Sequence, residues 1–140
     1  MTLDELYSVA SENSIPVIPF PLGDIEAMSY LSPDGSSYIG IDPDRITSKQ
    51  DERLKLAHEL GHAVQGAFYN KFAVCDVWKK HENRADKWSF NHLVPKEELY
   101  EAVSEGFVET WELAEIFDVP PEFMARAIHW YTHHNMDFSA

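Results

Sequence analysis

A single cysteine, Cys75, is all the chain carries, so no internal disulfide framework can form, which fits a reducing compartment. Cys75 reads as a small, partly buried side chain rather than a reactive thiol. No apolar run reaches the roughly 18 residues that a membrane-spanning helix needs. The opening MTLDELYSVASENS places acids where a secretory leader needs a basic segment and an apolar core, so a cytoplasmic protein that is not exported is expected. Positive charge is also scarce: 11 basic residues stand against 24 acidic ones, a formal charge of -13. Such a chain repels nucleic acid and anionic membrane alike, and a metal cation or a basic partner is the easier fit. Repeats, low-complexity tracts and long Gly/Ser linkers are missing too, and 140 residues suit one domain with one core, spanning 1–140.

What is present falls into three parts: a helix and strands over 1–47, helices over 48–95 and further helices over 96–140. Thr2 or Asp4 can begin a short amphipathic helix through Leu3, Leu6, Tyr7 and Ala10, which the prolines of SENSIPVIPFPLGD then end. Ile15 to Ile18 reads as an edge strand. EAMSYL and SSYIGID flank SPDG, a reverse-turn sequence in which Gly35 is free to take positive φ, so a hairpin is expected. Ser48 reads as an N-cap with Asp51 and Glu52 in the first turn. From there ERLKLAHELGHAVQGAF carries Leu54, Ala57, Gly61, Val64 and Phe68 at helical spacing. Residues 69–80 lose that period and read as a loop or lid. HENRADKWSFNHLV resumes a helix, and Lys96 to Glu105, Thr110 to Phe117 and Pro121 to Tyr131 give three more.

HELGH, residues 58–62, is the stretch that carries chemistry. Residues four apart lie on one side of a helix, so His58 and His62 can put imidazole nitrogens on one ion. Glu59 points in an adjacent direction, off the metal, and suits a base that takes a proton from water on the ion. A catalytic zinc wants a third protein ligand. An extended pattern ending in a third histidine is excluded, because its positions hold Gln65 and Phe68. Glu82 is the better candidate, and Asp86, one turn further on, is placed to accept the ring N–H of a ligating histidine. This HExxH and later ExxxD arrangement is similar to the glutamate-ligand zincins of the thermolysin type. Without HELGH beside them, Glu82 and Asp86 would read as surface charges pairing with Lys79 or Arg84. Two imidazoles and a carboxylate suit Zn2+, with manganese and iron as alternatives.

The other histidines read more plainly. His81 and His92 fit a helix surface or a satisfied core position, His81 with a further option of touching substrate, and His129, His133 and His134 sit near a fraying end. Trp88, Trp111, Trp130 and the phenylalanines read as core. Tyr69, His81 and Tyr131 are all open as oxyanion stabilisers. WELAEIFDVPPEFMARAIHWY has the outline of a helix-turn-helix reader, but Arg126 is the one arginine of its second helix, so packing is the expected role.

SYIGIDPDRI, LAHELGHAV and HENRADKWSFNHLVP, in that order, resemble the ImmA/IrrE family of small zinc-dependent proteins, often encoded on phages and integrative elements beside repressor genes. The resemblance is close over 38–95. It implies an α+β, zincin-like domain, mostly helical, with a short N-terminal sheet or hairpin packed on the HExxH helix. It also implies Zn2+ held by His58, His62 and Glu82, with Glu59 as the catalytic glutamate. The implied activity is metallo-endopeptidase cleavage of a helix-turn-helix repressor of a phage or mobile element, with no direct nucleic-acid binding. Larger members carry an added DNA-binding or sensor domain, for which this chain has no room. The rival expectation is a zinc-stabilised antirepressor that grips its target without cutting. In either case the SSYIGID strand offers itself for pairing with an extended substrate.

Overall fold

The computed structural model describes residues 1–32, 34–64 and 75–133, with backbone alone for 75–81. Its elements are helix α1 (Leu3–Glu12), strands β1 (Val17–Pro19), β2 (Ala27–Leu31) and β3 (Ser37–Ile41), and helices α2 (Lys49–Val64), α3 (Cys75–Leu93), α4 (Lys96–Ser104), α5 (Thr110–Phe117) and α6 (Pro121–His133). This is a small α+β, zincin-like domain fold. Among the described residues no helix is long and apolar enough to cross a membrane. Two compact units are distinguishable, Met1–Ser89 and Phe90–Ala140.

In the first unit, Thr2 rather than Asp4 starts α1. Its hydroxyl accepts the Glu5 N–H at 3.1 Å, and the Glu5 carboxylate accepts the Thr2 N–H at 3.2 Å, so two otherwise unpaired donors are satisfied together. α2 starts by a related device: Ser48 Oγ accepts the Asp51 N–H at 3.0 Å, while Asp51 accepts the Thr47 N–H at 3.1 Å. Leu6 and Ala10 of α1, Ile39 and Ile41 of β3, and Leu56, Ala57 and Leu60 of α2 form the core. The deepest positions of α2 are therefore not Leu54 and Val64, which are half-buried. α2 packs against α1 on one flank and against β2 and β3 on another, so a single apolar stripe does not describe it. Phe68 lies outside the described residues.

The sheet has the order β1-β3-β2. β2 and β3 form the expected antiparallel hairpin, with Gly35 at φ 89° in its turn. β1 pairs with β3 in parallel, Val17 opposite Ile39 and Pro19 opposite Ile41. β3 is thus the central strand, hydrogen-bonded on both sides, and SSYIGID has no free edge to offer a substrate. That expectation is corrected: the edges are β1, where Pro19 is tolerated, and β2.

α3 begins at Cys75, so the backbone of 75–80 is helical where a loop was expected, and 69–74 lie outside the described residues. In the second unit, α4 ends in a glycine cap. Gly106 at φ 105° lets its own N–H reach Val103 O at 3.0 Å and the Phe107 N–H reach Ala102 O at 3.1 Å. Leu113, Ala114 and Phe117 of α5 and Phe123, Met124, Ala127 and Tyr131 of α6 are buried. Trp111 is 57 % exposed, and Phe20 and Phe107 are exposed as well, so these three are not the core residues their chemistry leads one to expect. Arg126 holds its guanidinium 5.5 Å from the centre of the Phe90 ring.

Candidate metal centre

Two helices supply the centre, and a glycine lets them meet. At Gly61 a Cβ would stand 2.8 Å from the Ala85 carbonyl oxygen, 2.9 Å from Ala85 Cα and 3.1 Å from Trp88 Cβ. Backbone therefore packs on backbone where α2 crosses α3, with Ala85 fully buried. His58 lies three residues before Gly61 and Glu82 three before Ala85, so this one close approach sets both in reach of each other.

The geometry converges on a carboxylate. His58 Nε2 is 3.0 Å from one Glu82 oxygen and His62 Nε2 is 2.9 Å from the other. The ring centres of His58 and His62 stand 5.0 Å apart and nearly perpendicular. One donor atom from each of His58, His62 and Glu82 lies within 4.8 Å of the others, a group that could hold a metal ion. The far nitrogen of His58, Nδ1, is 3.2 Å from an Asp86 oxygen. A carboxylate can only accept, so Nδ1 donates to Asp86, and an ion taken by Nε2 would leave the ring proton on Nδ1, where Asp86 holds it.

Glu59 sits beside this group, half-buried, with the two imidazoles and the Ser29 side chain acting on its carboxyl. Burial pushes its carboxyl up from the ordinary carboxylate range, against the pull of the two imidazoles and of Ser29. For His58 burial opposes charge, but Asp86, Glu59 and Glu82 together outweigh it and hold the imidazole above its usual value. Three carboxylates facing two imidazoles make a pocket of negative potential, and the donor set matches the chemistry of a divalent ion.

Ser29 is the participant that the sequence did not mark. It lies opposite Ile39 in the sheet, as Ala27 lies opposite Ile41, so it shares the face that carries the buried isoleucines. A hydroxyl on the core side of an otherwise apolar strand was the available signal. Tyr131, by contrast, is excluded as a free oxyanion donor: its buried hydroxyl donates to Val94 O at 2.7 Å. Burial first, and then Glu97, raise its pKa. Tyr69, the His81 side chain and His134 lie outside the described residues. His92 is half-buried, and His129 and His133 are exposed and stack on each other.

A small α+β fold with two histidines and a glutamate gathered on two helices is the arrangement of the HExxH metallopeptidase class. Residues 10–129 match the IrrE N-terminal-like domain, a peptidase family, and the chain belongs to it. No curated protein matches the chain.

Proposed function

We propose that this protein is a zinc-dependent endopeptidase that acts in the cytoplasm on a helix-turn-helix repressor of a phage or mobile element. The single observation that carries the reading is the convergence of both Nε2 atoms on Glu82, with the half-buried Glu59 next to His58 and not part of that trio. A site that served only to hold the fold would be closed by four protein ligands and would need no base beside it.

In this reading His58, His62 and Glu82 hold the ion, which when bound supplies Lewis acidity and acidifies a water to a pKa of about 7. Glu59 accepts the proton of the attacking water and delivers it to the nitrogen of the departing amine. Ser29 fixes the orientation of that carboxylate. Asp86 keeps the proton of His58 on Nδ1, and so keeps Nε2 available.

The substrate strand is assigned to β2. The Asp42 N–H bonds Glu26 O at 2.9 Å and the Ser32 N–H bonds Ser36 O at 2.8 Å, which fixes the even-numbered residues of the strand as those bonded to β3. Ala27, Ser29 and Leu31 therefore turn their backbone groups to the open edge, on the strand whose Ser29 touches Glu59. An extended peptide added there lies beside the base.

Replacing Glu59 by Gln tests the whole. The variant is expected to retain its zinc content and thermal midpoint while repressor cleavage falls by about 10²-fold or more. If the wild type binds the repressor and frees its operator without ever cutting it, and Glu59→Gln does the same, the protein is an antirepressor and the peptidase reading fails.

A further inference from the structure

Tyr30 of β2 is 51 % exposed and stacks on Tyr38 of β3, with ring centres 6.3 Å apart and planes 28° from parallel. The two stand opposite each other in the hairpin register, as Ser29 stands opposite Ile39. Side chains alternate across a strand, and Ile39 is buried on the face that packs against α2, so Tyr30 and Tyr38 share the other face. Met28 lies on that face as well, opposite Gly40. A Cβ on Gly40 would stand 3.6 Å from Met28 Cγ and 3.7 Å from Leu22 Cδ2, so Leu22 closes over the gap beside Met28. The outward side of β2 is thus a short platform without a charged group: Met28 backed by Leu22, and Tyr30 backed by Tyr38.

A strand laid on the open edge of β2 extends this platform by one row. Ala27, Ser29 and Leu31 turn their backbone groups to that edge, so in antiparallel addition the residues opposite Met28 and Tyr30 take the non-hydrogen-bonded positions. There facing Cα atoms are about 4.5 Å apart and side chains come closest. The residue between those two faces Ser29, on the side of Glu59. We propose that the site selects an extended segment with apolar side chains at alternate positions, the one opposite Tyr30 being aromatic. Met28 and Tyr30 then set specificity, because an aromatic side chain continues the row of Tyr38 and Tyr30 and an aliphatic one covers Met28. The proposal rests on β2 as the substrate strand, and does not depend on whether the bound segment is cut.

The test is fluorescence polarisation of a positional-scanning library of blocked, labelled peptides on zinc-loaded Glu59→Gln. Phe at one position, and Leu or Met two positions away, should each tighten binding about fivefold over Ser or Asp. Adding Tyr30→Thr should erase the Phe preference alone, with zinc content and thermal midpoint kept, and Tyr30→Phe should retain it. A tyrosine that merely supported the sheet would instead lower affinity for every peptide alike. A wild type that shows the same two preferences yet cuts no peptide would end the peptidase reading and leave this one standing. Four results overturn the proposal: no binding, binding without alternation, Arg or Asp outranking Phe opposite Tyr30, or a Phe preference that survives Tyr30→Thr.

Discussion

Glu82 serves both imidazoles through its two oxygens, and an amide in its place has one oxygen to give. Asp86 acts one step further out, and there the expected cost is graded: Asp86→Asn should weaken zinc binding about 10- to 100-fold, measured by competition with a chelating dye. Zinc affinity equal to wild type would mean that the Nδ1 contact does not tune the ligand. His58, Glu59 and His62 were legible because helical spacing brings i and i+4 together, and Glu82 and Asp86 because the same spacing recurs on a second helix. Ser29 was not, since it reaches Glu59 from a strand, and pairing across elements leaves no local period. Tyr131 misled for a related reason: whether a hydroxyl is free depends on which carbonyl lies above it, here Val94.

At the scale of elements, the contact between α2 and α3 is the feature on which the centre depends. Gly61→Ala forces a methyl into the Ala85 backbone, and an overpacked interface costs about 1–3 kcal/mol. A lowered thermal midpoint together with weaker zinc binding is expected. A variant as stable and as tight as wild type would mean that α3 yields at no cost. On β2, Leu31→Pro removes an N–H that the sheet does not use, so the fold should persist while cleavage of a protein substrate falls about tenfold or more. Unchanged cleavage would remove β2 as the substrate strand. The start of α2 gives a pH dependence. Burial raises the Asp51 carboxyl, but Lys55 and the Thr47 N–H outweigh it and leave it below 3.8; Lys55, also opposed by burial, is held above 10.5 by Asp51 and Glu26. A depressed carboxylate stabilises the fold above its ordinary value, and that contribution is lost as pH falls through the folded one. Asp51→Asn should therefore cost about 1 kcal/mol at pH 7, and the gap in thermal midpoint should begin to narrow as pH falls below about 3.8 and close only below the depressed folded value. Caps and turns of this kind were legible in the sequence because they are local. Strand order was not: SPDG marks a hairpin, but nothing near SYIGI announces that β1 returns to its other side. The start of α3 was missed because Cys75, Val77 and Trp78 do not fall on one helical stripe.

Across the whole molecule, the charge of -13 bears on the partner more than on the fold. If the substrate is a basic DNA-binding protein, encounter is electrostatically steered, and kcat/KM should fall roughly tenfold as salt rises from low to several times physiological strength. A flat salt profile would argue for a neutral or acidic substrate. The division at Ser89 and Phe90 falls inside α3, where no change of composition could mark it. All the residues of the proposed centre lie before that division, while the family match extends across it to residue 129. The most direct check of the central claim is X-ray absorption at the zinc edge on protein carrying one equivalent of zinc. Two imidazole nitrogens with oxygen donors near 2.0–2.2 Å are expected, with one imidazole lost in His62→Gln and the oxygen shell altered in Glu82→Gln. A spectrum unchanged by either substitution would place the zinc elsewhere and contradict the account.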